Sequence, residues 1–172
     1  MFESDKLQNA KQSSKLDDAV ICAGTGSIAL MERAAKSFVD CFQNYLSDHR
    51  VQRVAVFFHH GKNGGDGVEI GRILKHMGYT VIFFFTGDPE KLAKETEVML
   101  ARLDHEDLKY LSYDPENVEQ RHMLSLCDVV VDANKQYVVG QSLTGTQDAV
   151  AYGVTEDGSA IREDYIVYPQ AY

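Results

Sequence analysis

The residues best placed to do chemistry lie in one stretch, His60-Gly61-Lys62-Asn63-Gly64-Gly65-Asp66-Gly67. Glycines at this spacing let a main chain approach a ligand closely and adopt positive φ. Backbone amides in such a loop, with the start of a following helix, form a cradle for an anion such as a phosphate. The amides around Gly64 and Gly65 are expected to converge on that anion. Lys62 adds a positive charge at the rim, Asn63 offers both a carbonyl and an amide, and Asp66 completes the loop. A plainer reading stands beside this one. Asp66 and Glu69 have the Asp-x-x-Glu spacing of a capping box, and the glycines then serve only a tight turn. The loop has neither the G-x-G-x-x-G order of a dinucleotide fingerprint nor the Gly-Lys-Ser/Thr of a Walker loop.

Such a loop needs rigid elements on both sides. Upstream, Ile28 to Ser47 has a helical period, with Met31, Ala35, Phe38, Phe42 and Tyr45 inward and Lys36, Asp40 and Gln43 elsewhere. Val51 to His59 contains a continuous apolar run, the pattern of a strand covered on both faces. After the loop, a helix is expected from about Val68 to Met77, stopped by Gly78. Thr80 to Phe85 reads as a second buried strand. A helix is then expected from Gly87-Asp88-Pro89 to about Leu103, with Leu92, Thr96, Met99, Leu100 and Leu103 inward. Leu108 to Tyr113 reads as a third strand, Pro115 to about Leu126 as a helix, and Asp128 to Asp132 as a fourth strand. Alternation of this kind predicts a Rossmann-like α/β/α three-layer sandwich with a mostly parallel sheet. Beyond Ala133 the pattern breaks down, with possible strands at Ala149–Val154 and Ala160–Tyr168 around a turn at Glu156-Asp157-Gly158-Ser159. The polar first fifteen residues read as a flexible or weakly helical leader, and residues 16–172 as one domain, divergent over 133–172.

A chain of 172 residues can bury a full core without staples. A net charge of −9 argues against a nucleic-acid or anionic-membrane surface, though a few amides and one lysine suffice for a small phosphate. Cys22, Cys41 and Cys127 form no C-x-x-C pair and read as reduced thiols of a cytoplasmic protein, with Cys22 and Cys41 as small core residues. No apolar run is long enough for a membrane span. His60 beside a phosphate would titrate near neutral pH, although adjacent histidines such as His59 and His60 are often incidental. His49, His76, His105 and His122 have no metal-ligand spacing.

Asn63-Gly64-Gly65-Asp66-Gly67, placed between a buried strand and a helix carrying Gly71-Arg72, resembles the loop of the NAD(P)H-hydrate epimerase family (the YjeF amino-terminal domain). Leu30-Met31-Glu32-Arg33-Ala34-Ala35 matches the family's upstream helix, and Val131-Asp132-Ala133 matches the end of a later strand. The resemblance covers roughly residues 16 to 133. It implies epimerisation of the hydrated nicotinamide cofactors NADHX and NADPHX, with the loop (Lys62, Asn63, Gly64, Gly65, Asp66) holding phosphate. It also implies a potassium ion bound partly by Asn63 and Asp132. These oxygen donors suit a hard cation. Asp132 would be the catalytic acid or base, although an aspartate closing a strand can simply cap the next loop.

The chain also departs from the family pattern. Lys62 replaces the first loop asparagine. Residues Asn134 to Gly140 differ from the family's Phe-Gly-x-Gly-like loop, and the Asp-x-Pro-Ser-Gly segment that supplies a further acid is missing. These departures leave three functional readings: an epimerase, a non-catalytic nucleotide-binding or scaffold module of the same fold, and a different nucleotide-phosphate enzyme. An expected missing sheet edge, together with Tyr165, Tyr168 and Tyr172 near the end, suggests a homodimer that covers an exposed strand.

Overall fold

The sheet is built around a strand buried on both faces. The computed structural model describes residues 26–134, 138–142, 151–154 and 160–163. The leader at 1–15, Cys22, the Glu156–Ser159 turn and Tyr165, Tyr168 and Tyr172 lie outside the described residues. Strand β1 (Arg53–Phe58) alternates Val54, Val56 and Phe58 toward one face with Ala55 and Phe57 toward the other. It pairs in parallel with β2 (Thr80–Phe85) on one side and β4 (Val129–Ala133) on the other, and β3 (Tyr110–Ser112) pairs in parallel with β2. Three antiparallel strands extend the sheet beyond β4: β5 (Val138–Ser142), β6 (Ala151–Val154) and β7 (Ala160–Glu163). The order is therefore β3-β2-β1-β4-β5-β6-β7.

Helices α1 (Ser27–Asp48), α2 (Lys62–His76) and α3 (Lys94–His105) share one face. Their buried residues Phe38, Phe42, Ile70, Leu74, Met99 and Leu103 close the main core over Val54, Val56, Phe83 and Val131. The short α4 (Val118–Ser125) lies on the opposite face, where Leu124 and Cys127 meet Ala55, Phe84 and Val130. The α/β/α layering expected from the alternation is thus present. α4 is placed by a cap and a tether. Asn117 accepts the Gln120 amide hydrogen bond, and the buried Gln120 side chain binds Ser112 O and the Asp114 amide. At the other end of the sheet, the Asp128 carboxylate accepts from the amides of Gln52 and Arg53, which fixes the start of β4 beside that of β1.

Several expected boundaries are corrected. α2 begins at Lys62, not Val68, so the glycine-rich segment is the helix's first two turns and not a loop before it. The capping box is absent: Gly61 is the N-cap with no side-chain cap, Asp66 lies inside the helix, and Glu69 pairs with Arg72. Positive φ is not what these glycines supply, since among described glycines only Gly78 has it. They supply closeness. A Cβ on Gly64 would lie 1.7 Å from His59 O, one on Gly67 2.4 Å from Ala133 Cβ, and one on Gly71 2.3 Å from the Phe83 ring. Residues 64, 67 and 71 follow the helical stripe that faces the sheet. Four glycines in one helix cost about 0.5–1 kcal/mol each in propensity. The helix forms because tight packing on β1, β2 and β4 offsets that cost.

The helix expected from Gly87 is split into a 3-10 turn (Pro89–Lys91), capped by Asp88, and α3. α4 starts at Val118, two residues beyond the Pro115-Glu116 turn that precedes its cap. The strands expected within Ala149–Val154 and Ala160–Tyr168 are present as β6 and β7. β5 was not expected. Only residues 135–137 separate Asn134 from Val138, too few for a parallel crossover, so the chain must return antiparallel. The β4 edge, which the sequence reading left without a neighbour, is occupied by β5. Cys41 is half-buried, so the buried described cysteine is Cys127.

Candidate functional site

The strand order marks where a ligand site of this fold would lie. The chain winds from β1 outward to β3, then crosses back over the opposite face to β4, on the other side of β1. The strand order reverses between β1 and β4, and ligands of open α/β sheets bind beyond the carboxyl ends of strands at such a reversal. His59-His60-Gly61, the first turn of α2, Thr86-Gly87-Asp88 and Asp132-Ala133-Asn134 all meet that edge.

The segment after β2 is stitched to the segment after β1. The Thr86 amide donates to Phe58 O (3.0 Å), the Ala93 amide to His60 O (2.8 Å), and Thr96 Oγ1 to Gly61 O (2.8 Å). The Asp88 amide donates to His60 Nδ1 (3.0 Å). That bond makes Nδ1 an acceptor and leaves the ring proton on Nε2. His59 lies with its ring centroid 3.6 Å from that of His60. Burial, and then the neighbouring His60, holds its imidazole below the ordinary histidine value, which favours the neutral form.

The expected convergence of the Gly64 and Gly65 amides on an anion is not seen at Gly64. The Gly64 amide donates to Gly61 O (2.9 Å), so it turns back into the helix. The amides that lack an intrahelical acceptor by construction are those of the first turn, beginning at Lys62. Gly64 and Gly65 allow the helix end to reach the strand mouths. Gly65 sits against Met31 and Thr96, where a Cβ would be 2.7 Å from Met31 Sδ. Lys62 is exposed, and its ammonium lies 3.5 Å from Glu95. Asn63 and Asp66 are half-buried.

Asp132 closes β4 between Val131 and Ala133, which face α2. Its own side chain falls on the other face, with Val130 and Phe57. Asn63 and Asp132 therefore approach the crevice from opposite sides of the sheet. Asp132 Oδ1 accepts the Asn134 amide (3.0 Å), which is the loop cap that the plainer reading of Asp132 described; its second oxygen has no hydrogen bond among the described residues. Across the end of β1, the single Thr86 hydroxyl proton faces two acceptors, the Asn134 side-chain oxygen and Phe58 O (3.2 Å). Thr86, Glu95 and Asn134 were not singled out from the sequence. The available signal was positional, since residues directly after parallel buried strands share one edge.

Other motif residues hold the scaffold. Arg72 makes a two-point contact to the buried Glu69 (2.7 and 2.8 Å) and reaches Glu106 (2.8 Å), which also meets His76 (2.7 Å). Arg102 of α3 pairs with Glu32 of α1 (2.7 Å) and lies 3.8 Å from Glu69. This network joins α1, α2 and α3 away from the strand mouths. Among the described residues there is no His/Cys/Asp/Glu cluster that would hold a metal, and no helix is long and apolar enough to cross a membrane.

A parallel sheet covered on both faces, with a helix N-terminus at its switch point, defines a Rossmann-like α/β sandwich domain. The family model described as YjeF-related protein N-terminus matches residues 27–151, and the chain belongs to that family. It is 40% identical over 78 residues to the NAD(P)H-hydrate epimerase of Levilactobacillus brevis, covering 45% of this chain and 35% of that protein. Its identity to the NAD(P)H-hydrate epimerase of Oenococcus oeni is 29% over 140 residues, covering 80% of this chain and 62% of that one. The crystal structure of yeast ynu0 superposes with a TM-score of 0.61 at 22% identity, over 76% of this chain and 56% of that one. The chain thus spans about a third to three fifths of the length of these relatives.

Proposed function

We propose that this chain is an NAD(P)H-hydrate epimerase, interconverting the epimers of hydrated NADH and NADPH. The observation that carries the reading is the family's glycine-rich helix start, seated at the β1/β4 switch point on the strand that ends in Asp132-Ala133. Relatives matched over this region bear that name. In this reading the first turn of α2, with Lys62, Asn63, Gly64, Gly65 and Asp66, receives phosphate. Asp132, with one oxygen engaged by Asn134 and the other without a hydrogen bond among the described residues, moves a proton at the reacting carbon.

Potassium fits the donor set: the Asn63 amide oxygen and the Asp132 carboxylate are hard donors, and these two residues would hold it. When bound, the ion would offset negative charge between Asp132 and a phosphate. Asp132 would act from a fixed position, since the Asn134 amide holds its carboxylate.

The test is the rate at which purified protein equilibrates separated NADHX epimers, read by chromatography. The expected result is acceleration over buffer, reduced about a hundredfold or more in Asp132→Asn. No acceleration over buffer removes the enzyme. Full activity in the variant removes Asp132 as the acid or base. A second reading is a module of this fold that binds nucleotide without turnover. Calorimetric binding of NADP with no epimerisation would establish that reading instead.

A further inference from the structure

The residue at the mouth of α2 already has a counter-ion. Lys62, the first residue of α2, is exposed and directs its ammonium to Glu95, 3.5 Å away on the first turn of α3. The two partners are not equally placed. The Lys62 side chain is 61% exposed and can swing, while that of Glu95 is 15% exposed. The turn that carries it is fastened to the mouth by the Ala93 amide on His60 O and by Thr96 Oγ1 on Gly61 O. Glu95 is therefore a fixed negative charge beside the place where the first-turn amides would receive an anion.

An anion arriving there competes with Glu95 for Lys62, whose ammonium lies 3.5 Å from the carboxylate. The repulsion scales with the charge on that anion. A phosphate within a diester or a dinucleotide bridge carries one negative charge. A phosphate monoester carries close to two near neutral pH. We propose that Glu95 is a specificity-determining residue, a charge filter that shifts the preference of the α2 mouth toward singly charged phosphodiester groups and away from dianionic phosphate monoesters. The proposal rests on the reading that this mouth receives phosphate, and it names the phosphate class that the mouth takes.

The test compares two ligands that differ in charge on one phosphate, adenosine 5′-monophosphate and its phosphate methyl ester. Binding of each to the full chain is measured by calorimetry at low salt. Glu95→Gln, nearly isosteric, is expected to tighten monophosphate binding about threefold to fivefold, the range of a half-exposed ion pair, with a smaller gain for the ester. Glu95→Ala is expected to shift the ratio of the two affinities in the same direction, which separates charge from side-chain fit. A ratio unchanged in both variants overturns the filter while leaving the phosphate site standing. Binding of neither ligand, by wild type or variants, overturns the phosphate site itself and the filter with it.

Discussion

Gly64→Ala tests whether glycines at the start of α2 are required by packing. A Cβ at this position would lie 1.7 Å from the His59 carbonyl oxygen and 2.7 Å from its carbon. Contacts below 3.0 Å essentially never occur for real Cβ atoms, and here the neighbour is main chain, so no side-chain rotation relieves it. The amino end of α2 must move off β1 by more than an ångström. That motion would disturb the Gly61 O bonds from Gly64 and Thr96 and the seat of Gly67 on Ala133. Overpacking of a rigid site costs about 1–3 kcal/mol and occasionally more, and the loss of these contacts places this case at about 3 kcal/mol. For a domain of this size, such a loss lowers Tm by about 6–12 °C. Gly61→Ala is the control: nothing lies within 4 Å of its Cβ, and its φ of −75° suits any residue. It should cost at most about 1 kcal/mol, as a weaker N-cap. Urea unfolding of both variants gives the comparison. A Gly64→Ala protein within about 1 kcal/mol of wild type would refute the packing argument and return the glycines to a loop role.

Three further outcomes follow from the same geometry. Glu69→Gln leaves Arg72 without its two-point partner in a nearly buried setting and should cost about 3 kcal/mol; Glu69→Met with Arg72→Met should recover much of this, as a double-mutant cycle in urea would show. Partial burial opposes ionisation of Glu106, but hydrogen bonds from Arg72 and His76 outweigh it and hold the carboxyl below its ordinary value of 4.5. Its stabilising contribution is then complete above about pH 4.5 and lost as pH falls through the lower folded value, so Glu106→Gln should flatten the acid side of a stability–pH curve; an unchanged curve would count against the pairing. Burial, with Asp128 beside it, pushes the Cys127 thiol up to about 11, so alkylation at pH 8 should be slow in folded protein and fast in urea, as read by mass spectrometry.

Much of the fold was legible because it is written in periodicity. Met31, Phe38 and Phe42 at helical spacing, and the runs ending at Phe58, Phe85 and Asp132, can bury their apolar groups only as helix over parallel strand. The Asn63-to-Gly67 and Val131-to-Ala133 motifs likewise marked the strand mouths, since both directly adjoin buried runs. What the residues did not reveal depended on neighbours distant in the chain. Local propensity counts Gly64, Gly65, Gly67 and Gly71 against a helix. Only the nearness of His59, Ala133 and Phe83 makes a helix without Cβ atoms the one that fits. The Asp66/Glu69 spacing looked like a cap until Arg72 claimed Glu69. Which amides the helix start leaves without an intrahelical acceptor and which carboxylate faces Lys62 were decided by where α2 begins and where α3 docks, a property of packing that no short stretch of sequence contains.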